Sequence, residues 1–177
     1  QATPVAIRFI AEHPDRVSRL LVQNGYVRGR AMRPNAPQTP DSDPVVALMK
    51  NGWGDPDNGF MRAWVSMIIP NASHEEVTDM IRLLSGATRP EAVVESRQTI
   101  DRFTAEDLLG KVDVPTLVVH SRGDTIHPVE EARDLAMGIR DAELLIVESP
   151  NTLAIPSDPT WEEQLSAILG FLAEGNA

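Results

Sequence analysis

Val114 to Pro128 reads VPTLVVHSRGDTIHP, and the rest of the chain is organised around it. Pro115 to Val119 is a near-continuous apolar run, the pattern of a strand buried on both faces. Ser121-Arg122-Gly123-Asp124 breaks the run as a polar turn, and Pro128 is the expected first residue of a helix through Val129–Leu135. Strand, turn and helix form one half of a parallel βαβ unit. In open α/β sheets ligands bind at the carboxyl ends of the strands, and Asp124 falls at that edge.

Two further strands are expected, Val17 to Gln23 and Asp141 to Val147, with a short helix over Gln1 to Ala11 that stops at His13-Pro14. From Asp43 to Gly110 the pattern is helical. Asp43-Pro44 is an N-cap and N1 pair, Ser73 to Glu76 a capping box, Arg89 to Arg102 a further helix, and Thr104 to Asp107 resembles a second box. A helical stretch this long between parallel strands exceeds a plain crossover and reads as a lid. Thr160 to Glu163 is a third capping box, opening a last helix with Trp161, Leu165, Ile168, Leu169, Phe171 and Leu172 on its buried side. The fold class is α/β, one partial domain over 1–177, with 1–30 and 107–177 as core and 31–106 as lid. Three strands leave an apolar edge, so the chain is expected to pair with itself or with a missing N-terminal portion.

Bulk properties narrow the function. With 177 residues, 16 Lys+Arg against 26 Asp+Glu and a net charge of −10, the chain suits a soluble acidic domain and not a nucleic-acid or anionic-membrane surface. No apolar run approaches the roughly 18 residues of a membrane helix. The absence of cysteine excludes disulfides and thiolate chemistry. No signal peptide is seen and a cytoplasmic location is expected. A chain that begins with Gln1 is expected to be processed or to be a piece of a longer protein.

The residues resemble the C-terminal part of an α/β-hydrolase, closest to lidded esterase-like domains that also occur fused to adenylate cyclases and helix-turn-helix transcription regulators. QATPVAIRFIAEHPDRVSRL and VPTLVVHSRGD carry the resemblance. It implies a G-x-S-x-G elbow whose serine would precede Gln1, with the backbone N–H of Gln1 as an oxyanion donor and Ala2 where the last glycine belongs. It implies Asp124 as triad acid. The family's histidine, often in Asn-His, is matched by Asn151-Thr152, and threonine cannot shuttle a proton near neutral pH as imidazole does. The implied protein is an inactive relative of serine esterases, or a non-catalytic ligand-sensing or dimerisation domain of a regulator. A small hydrophobic ligand or ester is the expected partner, with no cofactor.

Other residues have both a sharp and a plain reading. Trp53, Phe60, Met61 and Trp64 are candidates to line a pocket under the lid, or to pack its helices. Arg28, Arg30 and Arg33 read as a solvated basic loop, with an anion site as the sharper alternative. His120, Asp124 and His127 lie close in sequence, but a strand end and a helix start need not aim their side chains together, so no metal is assigned. Ser121 and Ser149 lack a glycine-flanked elbow and read as loop serines.

Overall fold

The computed structural model describes residues 2–34, 36, 44–55 and 57–174. The chain runs α1 (Thr3–Glu12), β1 (Leu20–Gln23), α2 (Pro44–Gly52), α3 (Gly59–Ile68), α4 (His74–Ala87), α5 (Pro90–Ile100), β2 (Thr116–Ser121), α6 (Val129–Gly138), β3 (Glu143–Val147) and α7 (Trp161–Ala173). The strands form one parallel sheet ordered β1-β2-β3, with Val22 opposite Val118 and Val119 opposite Leu145. All six residues of β2 are buried, as the central apolar run requires.

Alternation along β2 divides the core. Val118 packs with Ile7 and Ile10 of α1 and with Ala132 and Leu135 of α6. Leu117 and Val119 face the other way, onto Phe171 of α7. The insertion between β1 and β2 has an apolar cluster of its own, built from Met49, Trp53, Met61, Val65, Val77 and Ile81 and joined by Ile155 from beyond β3.

Several boundaries differ from expectation. β1 begins at Leu20, and β3 begins at Glu143 because Asp141 sits in the left-handed region (φ 56°), which ends an extended run. Pro128 is the N-cap of α6 and not its first helical residue, with ψ at 146°. Arg89 likewise caps α5, which then starts at Pro90. The Ser73 capping box is present with both of its reciprocal bonds. The other two boxes are not. Ala105 is the N-cap of a short 3-10 helix (Glu106–Lys111), and the Thr160 hydroxyl donates to Asp158 Oδ1 instead of capping α7. On α7, Leu169 and Leu172 are exposed while Gln164 is buried, so its inner face is more polar than the periodicity predicts. Asp43 lies outside the described residues. Among the described residues no helix is long and apolar enough to cross a membrane.

Candidate functional site

All three strands point their carboxyl ends at one edge, and the loops there are fixed by buried polar contacts. Asn24, just past β1, adopts a left-handed backbone (φ 43°), which asparagine tolerates better than most residues. Its Oδ1 accepts from Ser121 N at 2.7 Å, and its Nδ2 donates to the carbonyl of Thr152 at 2.6 Å. One side chain thus ties the ends of β1 and β2 to the loop after β3. Thr152 N donates to the carbonyl of Ile68 at 2.8 Å, so that loop is also held by the end of α3.

Asp158 anchors the loop from within. Its Oδ2 accepts from Ser149 Oγ and from Asn151 Nδ2 (2.6 Å), and its Oδ1 accepts from Thr160 N and Oγ1 (2.8 and 2.7 Å). Burial pushes this carboxyl up, but the hydrogen bonds outweigh it and hold Asp158 below the usual aspartate value. Ser149 is thereby committed as a donor, and Ser121 Oγ lies 3.3 Å from Asn24 Nδ2. Both have structural roles, Ser121 as the last residue of β2 and Ser149 in the loop after β3.

Thr152 Oγ1 donates to Asp124 Oδ1 at 2.7 Å. The same oxygen accepts from Ile126 N at 2.7 Å and His127 N at 3.2 Å, an Asx turn leading into α6. Asp124 Oδ2 is buried without a hydrogen-bond partner among the described residues. Two residues matched by resemblance to triad positions, 28 apart in sequence, therefore meet in space. Gln1 lies outside the described residues.

A cavity of about 520 Å³ opens beside this pair, with Asn24 and Thr152 in its wall. Of the four side chains proposed as lining, Trp64 faces it together with Met67, Ile68 and Leu84. Trp53 and Met61 are buried in the insertion's own cluster, and Phe60 packs against that cluster, stacked on Trp64. Phe60, Met61 and Trp64 lie on α3 and Trp53 just past the end of α2, but which face turns to the cavity is set by how the insertion sits on the sheet.

The arginine loop is packed, not solvated. Arg28 Nη1 and Nη2 bind Asp134 (2.6 Å) and Glu106 (2.5 Å). Glu131, buried on α6, accepts from the backbone N–H groups of Val27 and Arg28 at 2.9 and 2.8 Å, and lies 3.8 Å from Arg33 Nε. Arg33 donates to the carbonyl of Ile126 (3.2 Å) and to His127 Nδ1 (3.2 Å). Arg30 and Arg97 both reach Asp101 Oδ2, at 3.3 and 3.0 Å. Gly29 is required here, since any Cβ would collide with the backbone carbonyl of Ile100.

The two histidines have separate roles. Because a guanidinium can only donate, His127 Nδ1 is the acceptor and Nε2 carries the proton. Burial, and then Arg33, lowers His127 to about 3, so the ring that stacks on Tyr26 is neutral. His120 donates through Nε2 to the carbonyl of His127, and burial lowers it as well. Among the described residues no three His, Asp or Glu side chains gather as a metal site.

No family model matches the chain. Among curated proteins it is similar to a pimeloyl acyl-carrier-protein methyl ester esterase from Neisseria meningitidis, 25% identical over 146 residues, covering 81% of this chain and 56% of the relative. The chain thus spans little more than half the length of the curated relatives it matches. Among solved structures, an esterase from Exiguobacterium antarcticum has a TM-score of 0.73 at 18% identity, covering 98% of this chain and 63% of its own. An enol-lactonase from Burkholderia xenovorans has a TM-score of 0.67 at 20% identity, with coverages of 94% and 60%. A thermophilic esterase from Thermogutta terrifontis has 0.65 at 22%, with 98% and 62%. With three parallel strands, flanking helices and these neighbours, the chain has a partial α/β-hydrolase fold.

Proposed function

We propose that this chain is the lid-bearing, C-terminal portion of an esterase-like hydrolase whose acid position is kept at Asp124 and whose base position is filled by Thr152. The observation that carries it is the 2.7 Å contact from Thr152 Oγ1 to Asp124 Oδ1 beside a cavity that Thr152 helps to line. Acyl transfer needs a group that takes a proton from the nucleophile and returns it to the leaving group. A threonine hydroxyl does neither near neutral pH, so the protein binds a small ester-like molecule without turning it over. The esterase named among the curated relatives supports the hydrolase side of this reading, and Thr152 supports the non-catalytic side.

In this reading Gln1 holds the oxyanion-donor position, and the helical insertion is a lid whose Trp64 covers the ligand. β1 is hydrogen-bonded only to β2 among the described residues, and Val5 and Phe9 of α1 are exposed. We assign that side to pairing with upstream strands of the same protein or with a second copy. The same cavity without turnover suits a ligand-sensing domain of a signalling or transcription regulator, which is the second reading.

The test is Thr152→His in the natural polypeptide that carries this chain. The parent should neither hydrolyse p-nitrophenyl butyrate nor label with a fluorophosphonate, and the variant should gain serine labelling. A parent that already labels and turns over the ester overturns the proposal. If both stay inert, Thr152 is not the base position.

A further inference from the structure

We infer that the cavity takes an uncharged ligand with a hydroxyl, which accepts a hydrogen bond from His127 Nε2 and gives one to Thr152 Oγ1. A short hydrocarbon chain on the same molecule lies along Trp64, Met67, Ile68 and Leu84. This rests on the cavity being a ligand site, as proposed above, and adds the functional group by which the ligand is held. His127 and Thr152 both stand in the cavity wall. They also meet at one oxygen, since Asp124 Oδ1 accepts from Thr152 Oγ1 at 2.7 Å and from His127 N at 3.2 Å.

The protons already committed decide what each residue can offer. A threonine hydroxyl has one proton and two lone pairs. Thr152 gives its proton to Asp124, and its N–H and carbonyl are spent on the Ile68 carbonyl and Asn24 Nδ2. Toward the cavity it can only accept. His127 is the reverse. Its backbone N–H goes to Asp124, its carbonyl accepts from His120, and its Nδ1 accepts from Arg33. What is left is Nε2–H, a donor that makes no hydrogen bond among the described residues. Asn24, also in the wall, is committed at Oδ1 and Nδ2 alike. A ligand carbonyl answers His127 alone, whereas a hydroxyl answers both residues from one oxygen. The charged groups of the wall call for no ion. Arg30 and Arg97 both reach Asp101, and Arg33 lies 3.8 Å from Glu131. An uncharged head and an apolar tail suit such a wall, with a few polar atoms fixing orientation.

The experiment is titration of this 177-residue chain with 2-octanol and with 2-octanone, read by tryptophan fluorescence and by calorimetry. The two ligands share length and tail, and only the alcohol has a proton to give. Thr152→Val, which keeps the shape and removes the acceptor, should lower the alcohol-to-ketone affinity ratio about threefold to tenfold, the range of one neutral hydrogen bond. Thr152→Ser, which keeps the hydroxyl, should retain the parent ratio. His127→Phe keeps a ring against Tyr26 and removes the donor, so it should weaken both ligands by a similar factor. In the parent, 2-methoxyoctane, which cannot donate, should bind more weakly than 2-octanol, a comparison that holds even if Thr152→Val does not fold. A ratio untouched by Thr152→Val, an ether bound as tightly as the alcohol, or affinities unchanged in His127→Phe overturns the hydroxyl assignment and leaves the ligand cavity standing. If none of the three ligands binds up to its solubility limit, the proposal and the ligand-site reading both fall.

Discussion

Two loops frame the cavity, and they are held in opposite ways. The loop after β3 is built on Asp158, whose two oxygens are satisfied by hydroxyls, an amide and a backbone N–H, all neutral donors. The loop after β1 is built on Glu131, which accepts two backbone N–H groups and also faces the guanidinium groups of Arg28 and Arg33. A neutral network fixes position and adds no charge to the cavity beyond its own carboxylate. A network of ion pairs fixes position and leaves Arg33 in the cavity wall. So the loop after β3 sets geometry at Asp124 and Thr152, while the loop after β1 sets the polarity of the pocket.

The largest effect should come from cutting the charged network at its centre. Glu131→Leu removes the acceptor for Val27 N and Arg28 N and takes from half-buried Arg33 the carboxylate that acts on it most. Breaking a buried pair on one side costs about 3–5 kcal/mol. Glu131→Gln, which keeps a carbonyl acceptor, should cost clearly less. Denaturant unfolding of the three proteins checks this, and equal losses would mean that the charge contributes nothing.

Next comes the neutral network. Asp158→Asn sets an amide N–H₂ against hydroxyl and amide donors, leaving buried polar groups without acceptors at about 1–3 kcal/mol. The damage should stay local. Amide exchange should speed up at Asn151, Thr152 and Leu153 while Val27 and Arg28 keep their protection, and a loss shared by both loops would show that they are one cooperative unit.

Much of this architecture was legible in local sequence, and the part that was not depends on distant partners. Val114–Pro128 announces strand, turn and helix through its own residues, and Ser73-x-x-Glu76 forms the expected box because both bonds are made within four residues. Asp124 could be placed in its turn from the Gly-Asp pair. Nothing local ties it to Thr152, 28 residues on, and only the resemblance gives both residues triad positions. Arg33 read as part of a solvated loop because its partners lie about a hundred positions away on α6 and its leading turn. Trp53 and Met61 carry two readings in the sequence, pocket lining or helix packing, and both are buried in the insertion's own cluster. Asn24 stands outside every motif named from the sequence. An asparagine before glycine at the end of a strand is a signal for a left-handed turn, and it could have been used.

Acid should separate the two loops in a further way. In the folded protein His127 resists protonation down to about 3, because it is buried and faces Arg33. The unfolded chain protonates there below about 6.5. A group whose folded value is lowered gives its full stabilisation above the unfolded value, so stability should fall as the pH drops from about 6.5 toward 3, by at most about 1.4 kcal/mol per pH unit. Buried His120 adds to the same trend. Asp158 begins to lose its contribution only below the ordinary carboxylate range, near pH 4. His127→Gln should therefore flatten the slope between pH 6.5 and 4 and leave the steeper acid limb in place. A slope unchanged by the substitution would place the titrating group elsewhere.

The smallest effect should come from the ion pair nearest the neutral loop. Arg122 Nε binds Glu148 Oε1 at 2.6 Å across the end of β3, but both side chains are exposed to solvent, 49% and 73%. Water screens the attraction and ordering two long side chains opposes it, so such pairs contribute little whatever their distance. Arg122→Gln should move Tm by less than about 2 °C and leave amide exchange at Thr152 unchanged. The contrast with Asp158→Asn, in the loop that begins at Arg122's partner Glu148, is the point. If Arg122→Gln loosened Thr152 as much as Asp158→Asn, then surface charge would be shaping the geometry of this loop, and the division of labour between the two loops would not hold.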